Sequence, residues 1–187
     1  MSSPPGSSPP GARSAFRQSP VRGGVLLRPL ASQDVHVFAD WAADEEFCRA
    51  AEWTVGLSAQ QHHAFHTRLM TSPPHDLLRF AAVLNGRLVG TVDLHGDEPD
   101  RRELGFLVGP RSRWGQGLGL ALARAGVAHG FEELGLREIW AEAYDANRAS
   151  IRILQELGMT ETGLGEVGTY LGQPTRYRQF TVTTAAP

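Results

Sequence analysis

Two alternating runs of residues flank Asn85-Gly86, and they constrain the fold more than any other stretch of the chain. Leu78, Phe80, Ala82 and Leu84 alternate with Arg79, Ala81 and Val83, and then Leu88, Gly90, Val92 and Leu94 alternate again. A period of two is that of a strand with one face buried. An Asn-Gly pair between two such runs predicts a hairpin, because both central residues of a type I′ turn need positive φ. Gly96-Asp97-Glu98-Pro99-Asp100 makes a second turn into a strand over 103–108, so an antiparallel meander is predicted.

Helical spacing appears on both sides of the meander. Residues 25–30 read as a short strand ended by proline, followed by a helix capped at Ser32 with Val35, Phe38, Ala39 and Ala42 on its apolar face. A second helix is predicted over 58–71, stopped by Pro73-Pro74. Downstream, Leu118, Ala121, Leu122, Ala125, Ala128 and Phe131 share one face of a helix ending at Gly135. A strand over 138–144 follows, then a helix capped by Asn147 and closed by Gly158, then strands near 159–170 and 175–183. Strand, helix and strand in succession imply a right-handed crossover to a parallel neighbour. The predicted class is α/β with a mixed sheet: a meander, a parallel crossover and a terminal hairpin, with flanking helices.

With 187 residues the chain suits one domain, placed at 25–184. Residues 1–24 are Pro-, Ser- and Gly-rich, lack the apolar core of a signal peptide, and are expected to be a disordered leader. The net charge of -2 argues against a nucleic-acid partner. No apolar run approaches the roughly 20 residues a bilayer demands, and the single cysteine, Cys48, has no internal partner for a disulfide. A cytoplasmic protein without a membrane partner is expected.

Arg111 to Leu120 read Arg-Ser-Arg-Trp-Gly-Gln-Gly-Leu-Gly-Leu and open the alanine- and leucine-rich helix. The first N–H groups of a helix have no intrahelical partner, and with the helix dipole they suit an anion such as a phosphate. Two arginines just upstream add charge-assisted contacts. A plain tight connection rarely needs three glycines. A dinucleotide-binding turn needs G-x-G-x-x-G directly after a strand, whereas here the spacing is G-x-G-x-G with six residues intervening. A Walker P-loop fails, since no Gly-Lys-Ser/Thr follows.

Trp114-Gly115-Gln116-Gly117-Leu118-Gly119, preceded by the 103–110 strand segment, resembles the acyl-CoA motif of the GNAT N-acetyltransferase superfamily. Residues 147–159, from Asn147 to Met159, resemble its second motif, in the family's order and separation. Leu27-Arg28-Pro29-Leu30 and the Trp-Gly-Gln-Gly form look most like the RimJ/RimL branch. The resemblance covers about residues 25–183. It implies acetyl-CoA as co-substrate, held by Leu107, Val108, Arg113, Trp114, Gly115, Gln116, Gly117, Leu118, Gly119, Leu120, Asn147 and Ser150.

The same resemblance implies acetyl transfer to a primary amine, either a small molecule or a protein N-terminus, by direct attack in a ternary complex. The alternatives are an aminoglycoside-type acetyltransferase and a non-catalytic acyl-CoA-binding domain. A homodimer is left open. An alkyl amine with pKa near 10 is less than about 1% neutral at pH 7, so a proton acceptor is needed. Glu103 is the first candidate, ahead of Glu142, Asp93 and His95; its alternative is an exposed glutamate paired with Arg101 or Arg102. An oxyanion donor is expected near Leu107 or Val108 if the strand is irregular there. Leu154 stands where many relatives have the tyrosine that protonates the leaving thiolate, which leaves Ser150, Tyr144, Tyr177 or water for that task. Asn147 and Ser150 also suit helix capping. His62 and His66, at i and i+4, lack a nearby carboxylate or cysteine in the pattern, so no metal is expected. The acids of the chain are scattered and do not decide the acceptor, and Trp41 and Trp53 are expected in the core.

Overall fold

A computed structural model describes residues 24–184. The leader expected at 1–24 lies outside the described residues except for Gly24. Strand β1 (Val25–Pro29) precedes three helices, α1 (Ser32–Trp41), α2 (Glu45–Ala50) and α3 (Ala59–Thr71). The meander is β2 (Leu77–Leu84), β3 (Arg87–His95) and β4 (Arg101–Val108), and a 3-10 turn over Arg111–Arg113 leads into α4 (Leu118–Glu132). Strand β5 (Glu138–Tyr144), helix α5 (Arg148–Glu156) and the hairpin of β6 (Thr160–Tyr170) and β7 (Gln173–Thr183) complete the chain. The mixed α/β class is as the sequence predicts, with a seven-stranded sheet in the order β1-β2-β3-β4-β5-β7-β6. Among the described residues only β4 and β5 pair in parallel. The β2–β3 turn has φ of 51° at Asn85 and 74° at Gly86, the two positive values that a type I′ hairpin requires.

Each face of the sheet buries its own cluster. Helix α4 covers the first face, where Val92, Leu104, Leu122, Ala125, Ile139, Leu154 and Phe180 are buried together. Alternation then directs Asp93, Glu103, Gly105, Leu107 and Glu142 to the second face. There α1 and α2 contribute Phe38, Trp41, Phe47 and Cys48, with Trp53 and Leu107 packed against them. Phe47 meets Trp53 edge-on at 5.2 Å and Trp41 at 6.1 Å, a geometry that adds about 0.5–1.5 kcal/mol per aromatic pair beyond area burial. Trp41 is core as expected. Trp53 is only partly buried and has a second role at the cleft.

Three local readings need correction. Ser32 is the first helical residue and Ala31 the cap, because the Asp34 carboxylate reaches back to the Ala31 N–H at 2.8 Å. Asp34 is buried and also accepts from Arg28 at 2.6 and 2.8 Å, which ties β1 to α1. Helix α2 went unpredicted: six residues are too few to show a period, although Asp44 caps it through the Glu46 and Phe47 N–H groups. Gly135, with φ of 67°, follows the Glu133 cap by two residues instead of terminating α4 directly.

The feature that positions the site is a fork in the sheet. Strands β4 and β5 pair only from Arg101↔Glu138 to Glu103↔Trp140. Beyond that, β4 follows β3 as far as Gly90↔Val108, while β5 follows β7 as far as Tyr144↔Tyr177. The closed end is fastened by Arg101, whose Nε donates to Glu138 at 2.6 Å and whose guanidinium lies 5.1 Å from the Trp140 ring centre. Glu103 occupies the last paired position.

Candidate functional site

A cleft of about 350 Å³ opens at the fork and draws on both faces of the sheet. Asp93, Glu103, Gly105, Leu107, Glu142 and Tyr144 come from the strands of the second face, and Leu104, Phe106 and Leu154 from the first. Phe38, Glu52, Trp53, His66 and Tyr177 form the surrounding wall, while Asn147 and Ser150 close it at the N-terminus of α5. The cleft therefore passes through the sheet.

Backbone phase determines which donors face this gap. The Gly109 N–H donates to Val89 O at 3.1 Å, so in the antiparallel register the hydrogen-bonded partners of β4 are its odd-numbered residues. The N–H groups of Phe106 and Val108 then point away from β3 into the fork. Val108 O points the same way and accepts from Trp114 Nε1 at 2.8 Å. The expected irregularity in β4 is absent: divergence of β5 leaves the Phe106 and Val108 N–H groups facing the fork, with the Leu107 N–H turned toward β3. Leu107 instead contributes its side chain to the cleft and to the aromatic cluster.

The glycine turn opens α4 beside the end of β4. Gly115 and Gly117 have φ of 72° and 79°, a region that side chains with a Cβ rarely occupy, and a Cβ on either would meet nothing within 4 Å. The turn thus presents bare backbone to open space. Gly119 serves packing instead: its Cβ would lie 2.6 Å from Ile153 Cδ1, so the missing side chain lets α4 approach α5. The first intrahelical bond runs from Ala121 N–H to Gly117 O at 3.2 Å, which leaves the N–H groups of Leu118, Gly119 and Leu120 ahead of it. Gln116 Nε2 donates to Ser112 O at 2.8 Å and closes the loop on itself. Arg111 is not the anion-binding arginine that the sequence suggests: its Nε donates to Asp44 at 2.6 Å and it also pairs with Glu46. Arg113 remains as the arginine beside the turn. This arrangement suits a large anion.

Four carboxylates that are remote in sequence, Glu52, Asp93, Glu103 and Glu142, line the one cleft. Arg79 neutralises Asp93 through contacts of 2.8 and 2.5 Å. Glu142 accepts the Gln179 amide at 3.1 Å. Glu103 does not pair with Arg101 or Arg102 as its structural alternative required; its nearest cation-forming neighbour is His95, 3.9 Å away. Burial, and next the Glu142 carboxylate, push the Glu103 carboxyl above the ordinary glutamate range, with His95 and Arg101 acting against them. The reading of scattered acids is thereby corrected, because the topology gathers them.

His62 and His66 are buried on the inner face of α3. Burial, then the Arg79 charge and His62, lower the His66 imidazole to about 4, which leaves it neutral at pH 7. Among the described residues no group of three or more His, Cys, Asp or Glu side chains is placed to hold a metal. Leu154 is buried where a phenol was sought, one helical turn after Ser150. Tyr144 and Tyr177 stack at 3.8 Å, and the Tyr177 phenol is pushed up, first by burial and then by its hydrogen bond with Tyr144. Asn147 caps α5 by accepting the Ser150 N–H at 3.2 Å. No helix among the described residues is long and apolar enough to cross a membrane.

A mixed sheet forked between β4 and β5, with a glycine turn opening a helix beside the fork, defines an acyl-CoA-dependent N-acyltransferase fold. Residues 25–160 match the acetyltransferase (GNAT) domain family, and the chain belongs to that family. The FsC-acetyl coenzyme A-N(2)-transacetylase of Aspergillus fumigatus is 44% identical over 61 residues, 33% of this chain and 26% of that protein, so the match spans about a quarter of the relative. Spermidine N-acetyltransferase from Vibrio cholerae, solved with CoA and spermine, superposes with a TM-score of 0.71 at 16% identity, covering 87% of this chain and 96% of that one. RimL, a ribosomal L7/L12 alpha-N-protein acetyltransferase solved with CoA, gives 0.72 at 14% identity, covering 89% and 98%. A GNAT-family acetyltransferase from Bacillus anthracis gives 0.70 at 20% identity, covering 85% and 94%.

Proposed function

We propose that this chain acetylates the primary amine of a small cationic acceptor, by direct attack on acetyl-CoA in a ternary complex. The observation that carries the reading is the convergence of Glu52, Asp93, Glu103 and Glu142 on the cleft, where Arg79 is the sole lysine or arginine lining it among the described residues. An acidic, partly desolvated cleft attracts an ammonium and disfavours neutral or anionic acceptors. The Vibrio cholerae relative was solved with spermine, a polycation, which agrees with this reading of the acceptor.

In the proposed reaction the glycine turn and the first N–H groups of α4, with Arg113 and Trp114 beside them, hold the pyrophosphate arm. The amine nitrogen attacks the thioester carbonyl carbon while its proton passes to Glu103, directly or through water. The Val108 N–H stabilises the oxyanion that forms. The C–S bond then breaks, and the thiolate is met by the Ser150 hydroxyl and water, since Leu154 has no proton to give. Exchange of Ser150 for alanine is expected to lower kcat about three- to tenfold with little change in acetyl-CoA affinity, because one hydrogen bond to a charged leaving group is lost. An unchanged kcat would remove Ser150 from that step.

The reading as a whole is tested by thiol release from acetyl-CoA across alkylamines, diamines, aminoglycosides and peptides with free N-termini. Cationic small amines should give the highest kcat/KM. Higher turnover of peptides would reassign the acceptor to protein N-termini, and CoA binding without turnover on any amine would sink the catalytic proposal.

A further inference from the structure

The cleft carboxylates are not equivalent. Asp93 is neutralised by Arg79, Glu142 is occupied by Gln179, and Glu103 sits desolvated at the fork. Glu52 differs: it is exposed, lies on the connection between α2 and α3, and has no ion-pair partner among the described residues. Its φ is 56°, one of three positive values outside glycine among the described residues, on a segment that also places Trp53. Tyr177 lines the cleft with Glu52, and its phenol is pushed up by burial, then by its hydrogen bond with Tyr144 and then by the Glu52 charge. Next to Glu52 on its own side, the Trp53 ring lies 4.7 Å from that of His66. His66 is 3% exposed, lines the cleft, and has an Nε2 without a hydrogen-bond partner. A buried polar nitrogen is costly to leave unpaired, and a donor brought by a ligand would recover that cost.

We propose that the acceptor is a dication: its reacting amine sits at Glu103, while its second ammonium is held by Glu52 against the Trp53–His66 wall. This rests on the reading of the cleft as the acceptor site of an amine acetyltransferase. The second ammonium donates to the Glu52 carboxylate and to the neutral His66 nitrogen, and the Trp53 ring offers a cation–π face. A monoamine leaves these groups unused.

The test compares α,ω-diamines with n-alkylamines of the same chain length, using the full chain. Glu52→Gln should raise the ratio of diamine KM to monoamine KM about three- to fivefold, the effect expected of one exposed charge pair. Glu52→Gly should do the same without loss of fold, because glycine accepts a φ of 56° freely. His66→Phe, which keeps a ring in the packing and removes the nitrogen, should also raise the ratio. Added salt should raise the diamine KM of the parent chain and affect Glu52→Gln less. An unchanged ratio in the Glu52 variants or in His66→Phe would overturn the inference while leaving acetyl transfer intact. Failure of the parent chain to turn over any amine would overturn the functional reading, and this inference with it.

Discussion

Exchange of Glu103 for glutamine should lower kcat/KM about 100-fold at pH 7, and the deficit should shrink as the pH approaches the amine's own pKa. The magnitude is that of a lost general base, about 10²–10⁴-fold, taken at its lower end because water in the open cleft carries part of the traffic. The pH dependence follows from the carboxyl itself. Glu103 works only when ionised, and burial and Glu142 raise its pKa above the ordinary glutamate value. Activity should therefore fall on acidification at a higher pH than an exposed glutamate would give. Glutamine abolishes that acidic limb, and the remaining rate should climb steadily with the free-amine fraction. A pH-rate profile of the variant parallel to that of the parent chain would exclude the role.

Substitution of valine for Gly117 should weaken CoA binding at least about tenfold by calorimetric titration. The new side chain projects into the open space where the pyrophosphate would approach the α4 N-terminus, while the left-handed backbone, which costs a residue with a Cβ about 1–2 kcal/mol, lowers stability and not affinity. Gly135→Val is the control, because its φ of 67° and empty surroundings match those of Gly117 at a position away from the turn. It should lose stability without losing CoA affinity. Wild-type affinity in a folded Gly117→Val protein would show that the turn does not hold the cofactor.

Elements whose instructions are local could be read from the sequence. The Asn85-Gly86 hairpin, the start of α3 near Ser58, the cap at Asn147 and the crossover through α4 each rest on residues within a few positions of one another. The fork was not legible, because no residue in β4 or β5 announces that pairing stops after Glu103 and Trp140. The acid cluster escaped for the same reason: its four members lie on a connection and three different strands, and only strand order unites them. Arg111 was misjudged because its partners Asp44 and Glu46 belong to a helix too short to predict. Glu52 gave no signal at all, since an isolated glutamate in a loop reads as solvated surface.

The fork also shapes the order of events. Because the gap crosses the sheet, the proposed reaction would give the acetyl donor and the amine separate doors, with their reacting ends meeting inside the wall. Neither ligand would then have to wait for the other to enter or leave. Three paired residues at the closed end, fastened by Arg101 and Glu138, act as the lintel of that doorway and fix where the two paths cross.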